Sequence, residues 1–276
     1  MNQKIDRQKI RRLLVGEFSW QRLVRSLIFI YVAIGLWAYF FSHSLIFQPQ
    51  PATYSDHSQI IKLTSANGVK ISAVYLPNNS AKYTILYSHG NAEDLGDILP
   101  VLKDIQNLGF AVFAYDYQGY GTSAGEPSVA KSYQDIDAAY AYLTDRLEIL
   151  PDRIIVYGRS VGGGPSVDLA VRQPVAGLIL ESTFVSAFRA LTQVPIYPFD
   201  RFANLAKINQ VNCPVLVMHG RDDRVVRFWH GKALYAAARE PKSFLWVDGA
   251  GHNEIMWVAG DRYSQTLKDF AQLLNR

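Results

Sequence analysis

Ile154-Ile155-Val156-Tyr157 runs directly into Gly158-Arg159-Ser160-Val161-Gly162, and a helix-compatible stretch, Val161 to Val171, follows. The order is a short apolar strand, a sharp turn and a helix, with a serine at the apex of the turn. A serine hydroxyl is a poor nucleophile at neutral pH, so it must be raised clear of the backbone where a histidine can take its proton. Glycines on both flanks permit the turn, because a Cβ there would collide with the neighbouring strand and helix.

The pentapeptide alone decides little, since the chain holds a second copy, Gly121-Thr122-Ser123-Ala124-Gly125. Context separates the two. The strand before Ser123, Ala111 to Tyr115, ends several residues too early, and Glu126-Pro127 delays the next helix until about Ser128. Ser123 therefore reads as part of a glycine-rich loop, and Ser160 as the nucleophile of an α/β-hydrolase fold.

In that fold the acid and the histidine follow the serine in chain order, each in a loop after a later strand. Pro214-Val215-Leu216-Val217-Met218 leads into His219-Gly220-Arg221-Asp222-Asp223, and Ser243-Phe244-Leu245-Trp246-Val247 into Asp248-Gly249-Ala250-Gly251-His252-Asn253. A carboxylate on the imidazole would fix its tautomer and stabilise the imidazolium. His252 is the expected base; Asp222 and Asp223 are adjacent, and the chemistry alone does not choose between them. His43 and His57 lie far upstream, His230 sits on an expected helix, and His89 and His219 are expected to anchor loops by hydrogen bonds.

Acyl transfer also needs donors for the oxygen that becomes negative in the tetrahedral intermediate. One is expected from the Val161 amide, which follows the nucleophile. The other is expected from the Asn91 backbone N–H, in the loop after the strand Thr84-Ile85-Leu86-Tyr87-Ser88.

Beyond the first 47 residues, Gln59 to Leu63 and Val69 to Leu76 flank Asn67-Gly68 as a hairpin. Thereafter six short apolar strands alternate with helical stretches, which predicts an α/β architecture: a mostly parallel central sheet with helices on both faces. Ser182 to Cys213 is a small cap insertion whose aromatics, among them Phe184, Phe188, Phe199 and Phe202, are read either as lining an acyl-chain groove or as core packing.

Ser88-His89-Gly90-Asn91-Ala92-Glu93-Asp94-Leu95-Gly96, Asp116-Tyr117-Gln118-Gly119-Tyr120-Gly121, Gly158 to Gly162, His219 to Asp223 and Gly249 to Asn253 occur in this order. Together they resemble the serine α/β-hydrolases that include membrane-associated protein depalmitoylases and their bacterial relatives. The resemblance covers about residues 45 to 276. It implies Asp223 as the acid, from His-Gly-x-x-Asp with Val225-Val226 behind it. It also implies a serine hydrolase of acyl esters or thioesters, and a site with a small cap beside a membrane suits a bulky or lipid-linked ester. The chain departs from those depalmitoylases in holding a single cysteine, Cys213, where they carry a cysteine-rich, lipid-modified N-terminus.

No formally charged residue lies between Ser26 and Ser55, and Leu27 to Phe41 is apolar or aromatic throughout. The expected organisation is a basic tail (1–26), a single transmembrane helix (27–47) and the hydrolase domain (48–276). The tail carries net +5 and the remainder net −1. That distribution predicts a cytoplasmic N-terminus with the catalytic domain across the membrane. It leaves the domain no basic surplus for nucleic acid. A cleaved signal peptide, with Ser42-His43-Ser44 as its site, is the alternative. No nucleotide-binding or metal-ligand spacing occurs, so no cofactor is expected. A peptidase on the same three residues and a non-catalytic scaffold are the competing functional readings.

Overall fold

The computed structural model describes residues 19–275. β1 (Ile60–Thr64) and β2 (Lys70–Leu76) form the hairpin across Asn67-Gly68, where Gly68 takes φ +81°. β3 (Thr84–Ser88), β4 (Ala111–Tyr115), β5 (Ile154–Arg159), β6 (Gly177–Glu181), β7 (Val215–Gly220) and β8 (Lys242–Val247) complete one sheet in the order β1-β2-β4-β3-β5-β6-β7-β8. β2 runs antiparallel to β1 and β4, and every other neighbouring pair is parallel.

The central strands are continuous apolar runs because both of their faces are covered. Ile155 and Tyr157 point toward the helices Leu95–Asn107 and Asp261–Leu273, where Leu102, Ile105, Leu267 and Phe270 meet them. Ile154 and Val156 point the other way, toward Ile136, Val167 and Leu234 of Val129–Ala141, Gly163–Arg172 and Trp229–Ala237. Helix starts follow local chemistry. Asp94 closes a capping box with Asp97, and the Ser128 hydroxyl accepts the Lys131 N–H at 3.2 Å.

Strand order places the ends of β3, β5, β6, β7 and β8 along one edge. In open parallel sheets ligands bind at the carboxyl ends of the strands.

The cap between β6 and β7 is small, with short helices Ala187–Thr192 and Asn204–Lys207. Its aromatics divide between the core and an open cleft. Phe202 is buried against Phe47, Tyr133 and Phe184, whereas Phe188 faces a cleft described below.

The helix Trp20–Phe41 spans 22 residues, about 33 Å at 1.5 Å per residue, and is long and apolar enough to cross a membrane. It belongs to a unit separate from residues 43–276. The helix begins seven residues before the expected span of 27–47 and ends at Phe41. His43–Ile46 is a short helix of the second unit, and Phe47 packs edge-on against Tyr117 and Phe202 in that unit's core. Of the expected tail, residues 1–18 lie outside the described residues, and Arg22 and Arg25 sit on the helix itself.

Candidate active site

β5 ends at Arg159, and Ser160 takes φ +51°, a left-handed conformation that is strained for a residue bearing a Cβ. The turn is tight enough to exclude side chains on both flanks. A Cβ on Gly158 would lie 2.6 Å from the Gly162 carbonyl oxygen and the Ser166 hydroxyl, and one on Gly162 would strike the Ser88 carbonyl. The second contact also seats the elbow against the loop after β3, which carries Asn91. Thr183, just past β6, donates its hydroxyl to the Ser160 carbonyl at 2.5 Å.

His252 reaches the serine from the loop after β8. Its Nε2 accepts from the Ser160 hydroxyl at 3.0 Å, and its Nδ1–H donates to Asp223 Oδ2 at 2.7 Å. Ser182 holds this loop by donating to the His252 carbonyl at 3.1 Å. Gly220, at the end of β7, lets the same loop pack closely, since a Cβ there would come within 2.6 Å of the Gly251 carbonyl.

Asp223 is buried and Asp222 is exposed, so only the former meets the imidazole. Its other oxygen accepts the Val225 and Val226 N–H groups at 2.9 and 2.8 Å. Burial would raise this carboxyl, but hydrogen bonds from His219 and His252 and the charge of His252 outweigh it and hold the group well below the usual carboxylate range.

Ser160, Asn91 and Val161 line one open cleft of about 690 Å³. Its lining is largely apolar and includes Phe184, Phe188, Leu191, Val225, Leu45 and Ile46. The Asn91 side chain is turned to structural use: its Oδ1 accepts Gln48 N–H at 2.9 Å and Tyr120 O–H at 2.6 Å.

His89, His230 and the second serine are occupied elsewhere. His89 is buried and shares a 2.7 Å hydrogen bond with the Gly90 carbonyl. His230 accepts the Val185 N–H at 3.2 Å. The Ser123 hydroxyl accepts Ser72 N–H at 2.9 Å and donates to the Asp116 carbonyl at 3.2 Å. Burial pushes the Cys213 thiol up to about 12, which removes it as a nucleophile at neutral pH. No cluster of three or more metal-ligating side chains occurs among the described residues.

Three features of the site carry no local signal in the sequence. Leu45 and Ile46 read there as the end of the apolar span. Thr183 follows β6 with nothing to mark it. A polar network centred on Arg159, with Glu93, Glu181 and Asn253, lies under the elbow. For the last, position offers one hint, since Arg159 adjoins Ser160 and Asn253 adjoins His252.

The sheet order, the strand-turn-helix at Ser160 and the loops after β7 and β8 that bring Asp223 and His252 to it are those of an α/β-hydrolase. A family model described as serine aminopeptidase, S33, matches residues 79–207. The chain is 41% identical over 221 residues to alpha/beta hydrolase domain-containing protein 17B of Homo sapiens, covering 78% of this chain and 75% of that protein. It is 44% identical over 194 residues to the Xenopus laevis protein of the same name, covering 69% and 67%. The chain belongs to the family of these alpha/beta hydrolase domain-containing 17 proteins. Among solved structures, an esterase of Pyrococcus furiosus superposes with a TM-score of 0.68 at 19% identity, over 82% of this chain and 98% of its own. The esterase domain of a Rhodothermus marinus protein gives 0.60 at 20% identity, over 77% and 96%.

Proposed function

We propose that this α/β-hydrolase is a membrane-anchored serine hydrolase that cleaves carboxylic esters or thioesters through an acyl-enzyme. The observation that carries the reading is the hydrogen-bonded path from the Ser160 hydroxyl to His252 Nε2, with His252 Nδ1 on Asp223, where Ser160 lines an apolar cleft.

In this reading Ser160 Oγ attacks the acyl carbon while its proton passes to His252 Nε2, and Asp223 stabilises the imidazolium. The Val161 and Asn91 backbone N–H groups hold the oxyanion. Collapse of the tetrahedral intermediate breaks the bond to the alcohol or thiol, which leaves with the proton from His252. Water, deprotonated by the same imidazole, then releases the acid and restores Ser160. The apolar walls suit an acyl chain, including one carried by a lipid-linked substrate.

The helix Trp20–Phe41 is the proposed anchor, and the hydrolase domain begins near His43. The tail's basic excess supports a cytoplasmic N-terminus with the domain on the opposite side.

The matched family model bears an aminopeptidase's name, which supports amide cleavage as the second reading. One experiment separates the two. The full chain in detergent is offered p-nitrophenyl acyl esters, acyl thioesters and aminoacyl p-nitroanilides, and acid-quenched samples are analysed by mass spectrometry. Faster ester or thioester turnover, with the acyl mass on the peptide containing Ser160, is expected. Turnover of anilides alone would replace this reading with the peptidase one.

A further inference from the structure

The side chain next to the proposed nucleophile reaches the loops after β3 and β8, which carry Asn91 and His252, and the end of β6. Arg159 is the last residue of β5, and only 11% of its side chain is exposed. Its guanidinium pairs with Glu93 through Nη1, donates from Nη2 to Asn253 Oδ1 at 2.7 Å, and has Nε 3.4 Å from Glu181 Oε1. Each partner is a handle on a different element. Glu93 Oε2 accepts the Gly90 N–H at 2.9 Å, in the turn that presents the Asn91 amide. Asn253 adjoins His252. Glu181 ends β6, and its second oxygen accepts the Tyr157 hydroxyl, which is 2.8 Å from that of Tyr263.

Burying a guanidinium costs desolvation energy unless its donors are satisfied, and here carboxylates and an amide oxygen satisfy it in a fixed fork. A lysine at this position would offer a point charge and could not address three directions in one plane. Arrangements of this kind matter for an oxyanion site, whose donors help only when they are already aimed before charge develops.

We infer that Arg159 is a positioning residue: through Glu93 and Asn253 it holds the Asn91 amide and the His252 imidazole in register with Ser160. The inference rests on the acyl-enzyme reading above. Arg159 touches no reacting atom; it acts through the backbone of its neighbours. Its loss therefore misplaces the machinery and leaves the apolar cleft, which binds the acyl chain, unchanged.

The test measures kcat and KM separately for a p-nitrophenyl ester with the full chain in detergent. Arg159→Met keeps the length of the stem and removes the fork; kcat falls by about 30- to 100-fold, while KM stays within about twofold of the parent. Arg159→Lys recovers only part of the loss. Fluorophosphonate labelling of Ser160 slows in parallel with kcat. Should Arg159→Met fail to fold, Asn253→Ala isolates the histidine arm at an exposed residue and lowers kcat by about three- to tenfold at unchanged KM. A folded Arg159→Met protein with parental kcat, or a loss confined to KM, overturns the inference; where Arg159→Met does not fold, parental kcat in Asn253→Ala overturns it as well. Ser160→Ala in the same assay keeps the two claims apart. If that variant is inactive and Arg159→Met is parental, the hydrolase reading stands and the positioning role falls.

Discussion

His219 Nε2 lies 3.3 Å from Asp223 Oδ2, the same oxygen that His252 Nδ1 contacts at 2.7 Å. Two imidazoles therefore approach one carboxylate oxygen. His219 Nε2 is also 2.7 Å from the Val226 carbonyl, which can only accept, so this nitrogen carries a hydrogen directed at the acid loop. His219→Phe removes that donor. The expected result is a kcat lower by about tenfold with little change in KM, the size of one hydrogen bond to a charged group. His219→Gln retains a donor and most of the activity. Parental kcat in His219→Phe, measured on the same ester, would remove His219 from the support of Asp223.

The two adjacent aspartates give opposite expectations. Asp223→Asn leaves the loop fold in place but supplies the wrong partner for His252 Nδ1, and kcat falls by about 10³- to 10⁴-fold. Asp222 is exposed, and Asp222→Asn changes kcat by less than about twofold. Steady-state kinetics of the pair decide the assignment, and a reversal of the two effects would contradict it.

Stability should depend on pH through His230. Burial, helped by His219 and Arg189 and opposed by Asp223, pushes this group down to about 4. In the unfolded chain it titrates near its ordinary value of about 6.5. Between those values the unfolded state binds more protons, so stability rises with pH through this window. The contribution is complete above about 6.5 and drains away toward 4, reaching a loss on the order of 2 kcal/mol by about pH 5. His230→Asn can still accept the Val185 N–H but does not titrate. Its melting temperature should therefore drop less than the parent's between pH 7 and pH 5. Equal drops would assign the dependence to other groups.

Much of this arrangement is legible in the sequence because the information is local. Ser160, Asp223 and His252 each follow a short apolar run and sit beside glycines whose missing Cβ atoms allow the loops to pack, and strand order brings those loops to one edge. Between Asp222 and Asp223 the chemistry of the residues does not choose; the resemblance favours Asp223, and burial and the contact with His252 fall to the same residue. The Arg159 network is not legible, because Glu93 lies 66 residues away and no pattern pairs one carboxylate with one guanidinium at that distance. Phe188 and Phe202 belong to the same aromatic stretch, yet one faces the cleft and the other the core. Leu45, Ile46 and Phe47 continue the apolar run without a break, and only packing assigns them to the cleft and the core.

The central claim is that Ser160 is the nucleophile of acyl transfer, and one substitution tests it. Ser160→Ala in the full chain, compared with the parent for p-nitrophenyl ester turnover at matched melting temperature, should lose activity by about 10⁴-fold or more. It should also fail to react with a fluorophosphonate. Parental turnover in a folded Ser160→Ala protein would contradict the account.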